Sequence, residues 1–195
     1  EKKTFLRSID IMITTKCSMN CANCCNLMQY YVDAKNTDEK IIEAVDTLSA
    51  NVDYIGGDIS KSLIVDLQKK YSKVNLRVFD VTKDKFPEAK IWHCRHCHFH
   101  LSLSDVAKSL KNFCESNIDI ALLTSHFLPD RLTFDIPTGS FRYLDLTNFP
   151  FYLPKPKCWL LDSQPFSGKV AMATGVWDKS QIKLAVENYY RLVVK

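Results

Sequence analysis

No stretch of this sequence approaches the roughly 20 apolar residues that a membrane-spanning helix needs, and no secretory signal precedes the first polar segment. There is no internal repeat and no low-complexity segment. Basic charge is also not concentrated anywhere: the formal net charge is +4 and the lysines are dispersed. That pattern fits a solvated surface, and neither nucleic acid nor a membrane is the expected partner. The first residue is Glu1 rather than Met, as expected of a chain trimmed from a longer one.

What is present is the composition of a globular protein. With 195 residues, 46% hydrophobic and 25% charged, the chain is long enough for one substantial core across 1–195, and short for a complete eight-unit α/β barrel. Eight cysteines in a chain of this size could suggest a secreted disulfide protein. Their uneven clustering and the large expected core point instead to metal chemistry in a reducing cytoplasm.

Three of those cysteines, Cys17, Cys21 and Cys24, fall at C-x3-C-x2-C spacing directly after Ile9–Thr15, a run that reads as a buried strand. A compact loop can turn three thiolates towards one point, and soft thiolates favour iron–sulfur clusters or zinc. Zinc usually takes four protein ligands, and no fourth stands at the expected distance. Three thiolates on a four-iron cubane would leave one iron open to a substrate or cofactor. The plainer readings are buried free cysteines or a zinc site. Cys25, next to Cys24, points away from a shared metal and suits packing.

The following chain alternates. A helix is expected to start at Asn36 or Thr37, with Ile41, Ile42, Ala44, Val45 and Leu48 on one face. Val52–Ile55 reads as a short strand ending at a Gly56-Gly57-Asp58 turn. Ser60 caps a second helix with an Ile64, Leu67 and Tyr71 stripe, and Val74–Val81 is the next strand. This is the βαβ rhythm of a parallel sheet. Beyond a charged loop, Ile91-Trp92 is a very short strand. Ser104 or Asp105 caps a helix with Val106, Ala107, Leu110, Phe113 and Cys114 on one face, and Ile118–Thr124 is a buried strand. The Pro- and aromatic-rich stretch 129–156 offers two weak strands, around Leu132–Phe134 and Phe141–Leu146. Ser180 opens a last amphipathic helix.

A second candidate metal site lies in the middle of the chain. Cys94 and Cys97 stand at C-x2-C amid His93, His96, His98 and His100, a set that could satisfy zinc, or with Cys158 an auxiliary cluster. The alternative is a polar loop whose histidines share no metal.

The cysteine loop after the first strand, with a Gly-Gly-acid turn after the second, resembles the radical S-adenosylmethionine (SAM) superfamily. In that family the three cysteines hold a [4Fe-4S] cluster and SAM chelates the fourth iron; the matching residues are Cys17, Cys21 and Cys24. Gly56, Gly57 and Asp58 occupy the place of the turn that contacts the SAM amino group, and Asn23 the place of a residue near the adenine. More narrowly, 13–28, Leu103-Ser104-Asp105 and Cys158–Leu161 are similar to radical SAM proteins associated with polysaccharide and glycosyltransferase gene clusters. The resemblance is carried by a motif-bearing half, 1–81, and is patchy over 82–195.

The resemblance implies an α/β fold, a partial open (β/α) barrel with a parallel sheet and helices outside. It implies reductive cleavage of SAM and hydrogen abstraction from a small-molecule, peptide or saccharide substrate. It also implies an electron donor such as flavodoxin or ferredoxin. Departures from the family pattern, Asp58-Ile59 for Glu-Pro and the polar Asn23, keep two rivals open: a non-catalytic cluster- or SAM-binding module, and a zinc-binding protein.

Overall fold

In the computed structural model, which describes residues 6–10, 52–72, 74–128, 133–161 and 170–194, seven strands hydrogen-bond into one sheet. In chain order they are β1 (Leu6–Asp10), β2 (Val52–Asp58), β3 (Asn75–Val78), β4 (Ile91–Cys94), β5 (Ile120–His126), β6 (Cys158–Leu161) and β7 (Met172–Asp178). Among the described residues three α-helices accompany them: α1 (Lys61–Lys70), α2 (Leu103–Glu115) and α3 (Lys179–Val193). None of the described helices is long and apolar enough to cross a membrane.

The spatial order is β3-β2-β1-β4-β5-β7-β6. β1 to β5 are mutually parallel, whereas β7 runs antiparallel to both β5 and β6. The α/β class with a largely parallel sheet is therefore as expected. The expected partial (β/α) barrel is not: barrel strands follow one another in sequence around a closed or closing sheet, whereas this order reverses between β1 and β4 and ends on an antiparallel pair. The step from β2 to β3 moves one way along the sheet and the step from β4 to β5 moves the other. Right-handed crossovers then place α1 and α2 on opposite faces, the arrangement of a doubly wound sheet.

Packing follows from the helix stripes. Ile64 and Leu67 of α1 bury against Leu76 of β3. The larger core gathers Val106, Leu110 and Phe113 of α2 and Ile182 and Ala185 of α3 against Trp92, Leu123 and Trp177 of the sheet. Phe113 stacks on Trp92 with ring centroids 5.3 Å apart. Ser60 caps α1 as expected, its hydroxyl accepting from Leu63 N–H. α2 begins two residues earlier than the pattern suggests, because Ser102 rather than Ser104 or Asp105 is its cap, and α3 is capped by Asp178 in a box with Gln181 rather than by Ser180. The helix expected near Asn36 lies outside the described residues, Thr133 and Phe134 are not in a strand, and 141–146 is irregular chain.

The start of α2 carries a measurable consequence. Ser102 Oγ accepts Asp105 N–H at 3.1 Å, while Asp135 Oδ1 takes the neighbouring Leu103 N–H at 2.7 Å. Losing the first of these leaves one helix donor without its partner, so Ser102→Ala is expected to lower stability by about 1 kcal/mol in urea unfolding. No loss at all would mean that Asp135 alone caps the helix.

Candidate functional site

An open α/β sheet places its ligand outside the carboxyl ends of the strands, where the strand order reverses. Here that point lies between β1 and β4. The register sets Gly56, Asp10, His93 and Leu122 abreast across β2, β1, β4 and β5. Asp58 ends β2 on the same edge, and the chain leaves β4 through Arg95 and His96.

Gly56 and Gly57 are strand residues, not the turn expected of them. Gly56 pairs with Asp10 on one side and Leu76 on the other, and Gly57 with Arg77. A Cβ on Gly57 would lie 3.0 Å from Phe79 Cβ, so the close approach that requires a glycine is to a core side chain. Asp58 is half-buried, and its Oδ1 accepts Ser60 N–H at 2.7 Å in the turn that leads into α1. One carboxylate oxygen is thereby oriented at the sheet edge.

The segment after β4 folds back over that edge as a short 3-10 turn, His98–His100. His96 enters it with φ at +52°, a left-handed conformation that a non-glycine residue adopts only when its surroundings hold it there. Its N–H donates to Thr124 Oγ1 of β5 at 3.1 Å. His98 is buried, with Nε2 2.8 Å from Ser109 Oγ. Ser109 already donates its own proton to the Val106 carbonyl, so the imidazole carries hydrogen on Nε2 and presents a bare Nδ1, which has no partner. Burial, reinforced by the charge of Arg142, pushes its pKa down to about 3. His100 is also held below its ordinary value by burial, against a 2.9 Å bond from Nδ1 to the Ser140 carbonyl.

His126, the last residue of β5, closes the group. Its Nδ1 lies 3.2 Å from Leu144 N and 3.3 Å from Leu144 O, and that carbonyl already accepts His126 N–H at 2.8 Å. Nδ1 thus faces the Leu144 backbone, and Nε2 is buried with no partner among the described residues. The rings of Phe99 and Tyr143 pack edge-on at 5.1 and 5.2 Å. Burial pushes the His126 pKa down to about 4. Arg142 lies in the adjoining irregular segment, its backbone N–H donating to the Phe99 carbonyl.

The residues singled out by spacing and composition separate accordingly. Cys17, Cys21, Cys24 and Asn23 fall outside the described residues. Gly56, Gly57 and Asp58 sit together at the end of β2. Cys94 is buried beneath the sheet edge with its sulfur 3.6 Å from His98 Nε2, and Cys97 is half-buried against the core. Among the described residues no three His, Cys, Asp or Glu side chains converge as metal ligands. Asp105 binds Lys108 and Thr138 at 2.8 and 2.6 Å. Neither His126 nor Arg142 stands out in the sequence. A polar Ser-His pair closing an apolar strand was the signal available for the first, and the second had none.

No protein-family profile matches the chain, and no curated protein matches it. Solved structures do match. The mitomycin 7-O-methyltransferase superposes at a TM-score of 0.57 with 10% identity over 91% of this chain and 50% of its own. The methyltransferase domain of the citrinin polyketide synthase gives 0.52 with 14% identity over 90% and 46%. The human N-acetylserotonin methyltransferase, solved in complex with SAM, gives 0.52 with 10% identity over 88% and 47%. The chain thus spans about half the length of the solved structures it matches. At these identities the likeness is one of fold. It overturns the radical SAM reading, with its iron–sulfur reaction and its degenerate variant: the sheet superposes on those of methyltransferases, and its strand order and antiparallel β7 are not those of the barrel on which that reading rests.

Proposed function

We propose that this chain is the SAM-binding part of a methyltransferase, and the observation that carries the reading is the sheet order β3-β2-β1-β4-β5-β7-β6 with a carboxylate, Asp58, at the reversal edge. The residues present fit the cosubstrate. A half-buried acid at the end of the strand next to the switch point is placed to accept hydrogen bonds from ribose hydroxyls or from an ammonium group. Bound SAM supplies an electrophilic methyl group on a sulfonium.

The chain's part is to bind, orient and exclude water. Ser60 N–H fixes one Asp58 oxygen, which leaves the carboxylate little rotational freedom to lose on binding. The 95–100 segment and His126 wall the edge on the β4–β5 side with buried rings and neutral imidazoles, surroundings that suit an acceptor held away from water. The cytoplasmic location expected from cysteine usage belongs to the same proposal.

Calorimetric titration with S-adenosylhomocysteine tests the reading directly. Saturable binding at one site per chain is expected, and an unaltered chain that does not bind sinks the proposal. Asp58→Asn keeps an acceptor for Ser60 N–H and removes the charge. It is expected to weaken binding about 10- to 100-fold, the range of a lost charged hydrogen bond, with no change in unfolding temperature. An unchanged affinity would remove Asp58 from the site.

A further inference from the structure

Arg142 is a buried cation with half of its guanidinium unanswered. It is 1% exposed. Nη1 donates to the Leu101 carbonyl, while Nε and Nη2 have no partner among the described residues. Those two nitrogens form one edge of the planar group, with parallel N–H bonds spaced to meet two oxygens of a single oxyanion. No described residue meets them. Asp135 acts on the guanidinium through space, favouring its charge, while its Oδ1 accepts the Leu103 and Ile136 N–H groups. The other ionisable neighbours that sense the charge are the imidazoles of His98 and His100, both held neutral, and His98 Nδ1 is itself unpartnered.

A structural arginine would be expected to have its charge answered. Tying Leu101 to the 137–142 segment needs one neutral donor, whereas a buried charge without a partner destabilises the fold. The surroundings also select the anion. A carboxylate matches the single positive charge; a phosphate dianion would leave one negative charge buried beside Phe99 and Phe141.

We propose that the Nε/Nη2 edge of Arg142 is the recognition point for a carboxylate on the methyl acceptor, which makes that acceptor a carboxylic acid. The word acceptor rests on the methyltransferase reading; the carboxylate site does not. The edge is closed to solvent, so binding proceeds through local opening of the segments around it.

The test uses the full chain with benzoate and inorganic phosphate as probes, read by thermal unfolding. Benzoate is expected to raise the unfolding temperature saturably, and phosphate to do so at least about tenfold less effectively. Arg142→Lys keeps a charge but lacks the two-donor edge, and is expected to weaken the benzoate effect about tenfold or more. Arg142→Met is expected to abolish it while leaving the ligand-free protein at least as stable, since an unanswered charge is removed. Three results overturn the site: no benzoate effect in the unaltered chain, an effect that survives Arg142→Lys, or equal protection by phosphate. A lower ligand-free stability of Arg142→Met overturns it too, since that is the mark of a structural arginine. S-adenosylhomocysteine titration of the same proteins keeps the two proposals apart. Loss of nucleoside binding with benzoate protection intact removes methyl transfer and leaves the carboxylate site standing.

Discussion

Gly175→Ala is expected to lower the stability of this protein by about 3–5 kcal/mol, as much as truncating a core aromatic. Gly175 sits in the middle of β7, paired with Leu123 of β5 and Trp159 of β6. The Trp177 ring lies across it, so a Cβ there would stand 2.2 Å from Cη2 and 2.4 Å from Cζ3. The ring cannot retreat. It is fully buried, its Nε1 donates to the Pro154 carbonyl at 2.8 Å, and Trp159 packs against it edge-on at 5.5 Å. Accommodation means ejecting the indole or prising β7 from its neighbours. Gly139 is the control: its φ of +97° strains an alanine, but nothing lies within 4 Å of the added methyl, so Gly139→Ala should lose only about 1 kcal/mol. Urea unfolding of both variants decides the matter. Equal losses would show that the contact with Trp177 yields easily.

Gly175 and Trp177 also explain why β7 was hidden in the sequence. β7 reads Met-Ala-Thr-Gly-Val-Trp-Asp, with Ala173, Thr174 and Gly175 buried in succession. A central strand covered on both faces loses the alternation by which strands are recognised, and a glycine that makes room for an indole looks like a breaker. β6 is four residues long. The helices α1, α2 and α3 each bury one stripe and leave the other wet, so their periodicity survives in the sequence, while β2 and β5 were legible as short apolar runs between turn and helix signals.

Of the candidate site, the sequence singled out Asp58 and the His96, His98 and His100 segment, and passed over His126 and Arg142. Asp58 stood out because an acid follows two glycines at a strand end, and it does lie at the sheet edge, although the glycines serve the strand and Phe79 rather than a turn. The Cys17, Cys21 and Cys24 spacing was the loudest local signal and led to the wrong fold, because spacing describes a loop whereas strand order is settled by pairings between distant segments. His126 and Leu144 meet across 18 positions of sequence only because 141–146 folds back along β5, with Leu144 carbonyl accepting His126 N–H. No pattern in one dimension carries that fold-back.

Those buried imidazoles make the protein acid-labile in a defined window. His98 and His126 are neutral in the folded state, their pKa values pushed by burial to about 3 and about 4, and both return to about 6.5 on unfolding. Above pH 6.5 neither state binds the proton and they contribute no pH dependence. Below it the unfolded chain takes up protons that the folded chain refuses, so stability falls as pH falls, by up to about 1.4 kcal/mol per pH unit for each histidine. Between pH 7 and pH 5 the two together should remove about 4 kcal/mol, a large part of the roughly 5–15 kcal/mol available to a domain. His100, shifted the same way, adds to the loss. The carboxylates do not confuse the reading. Hydrogen bonds from Ser180, Gln181 and Lys157 hold Asp178 at about 2, and in Asp80 and Asp105 burial is outweighed by hydrogen bonds that lower the pKa, so all three titrate below this window. Burial is the largest effect on His126; the Leu144 backbone bond and Asp145 oppose it by raising the pKa, and His96 and His100 reinforce it. Urea midpoints measured at pH 7, 6 and 5 should therefore fall progressively. His98→Gln or His126→Gln should each flatten the fall by about 2 kcal/mol over the same range. A midpoint that holds steady from pH 7 to pH 5 would mean that these imidazoles pick up protons in the folded state, and so are reached by water.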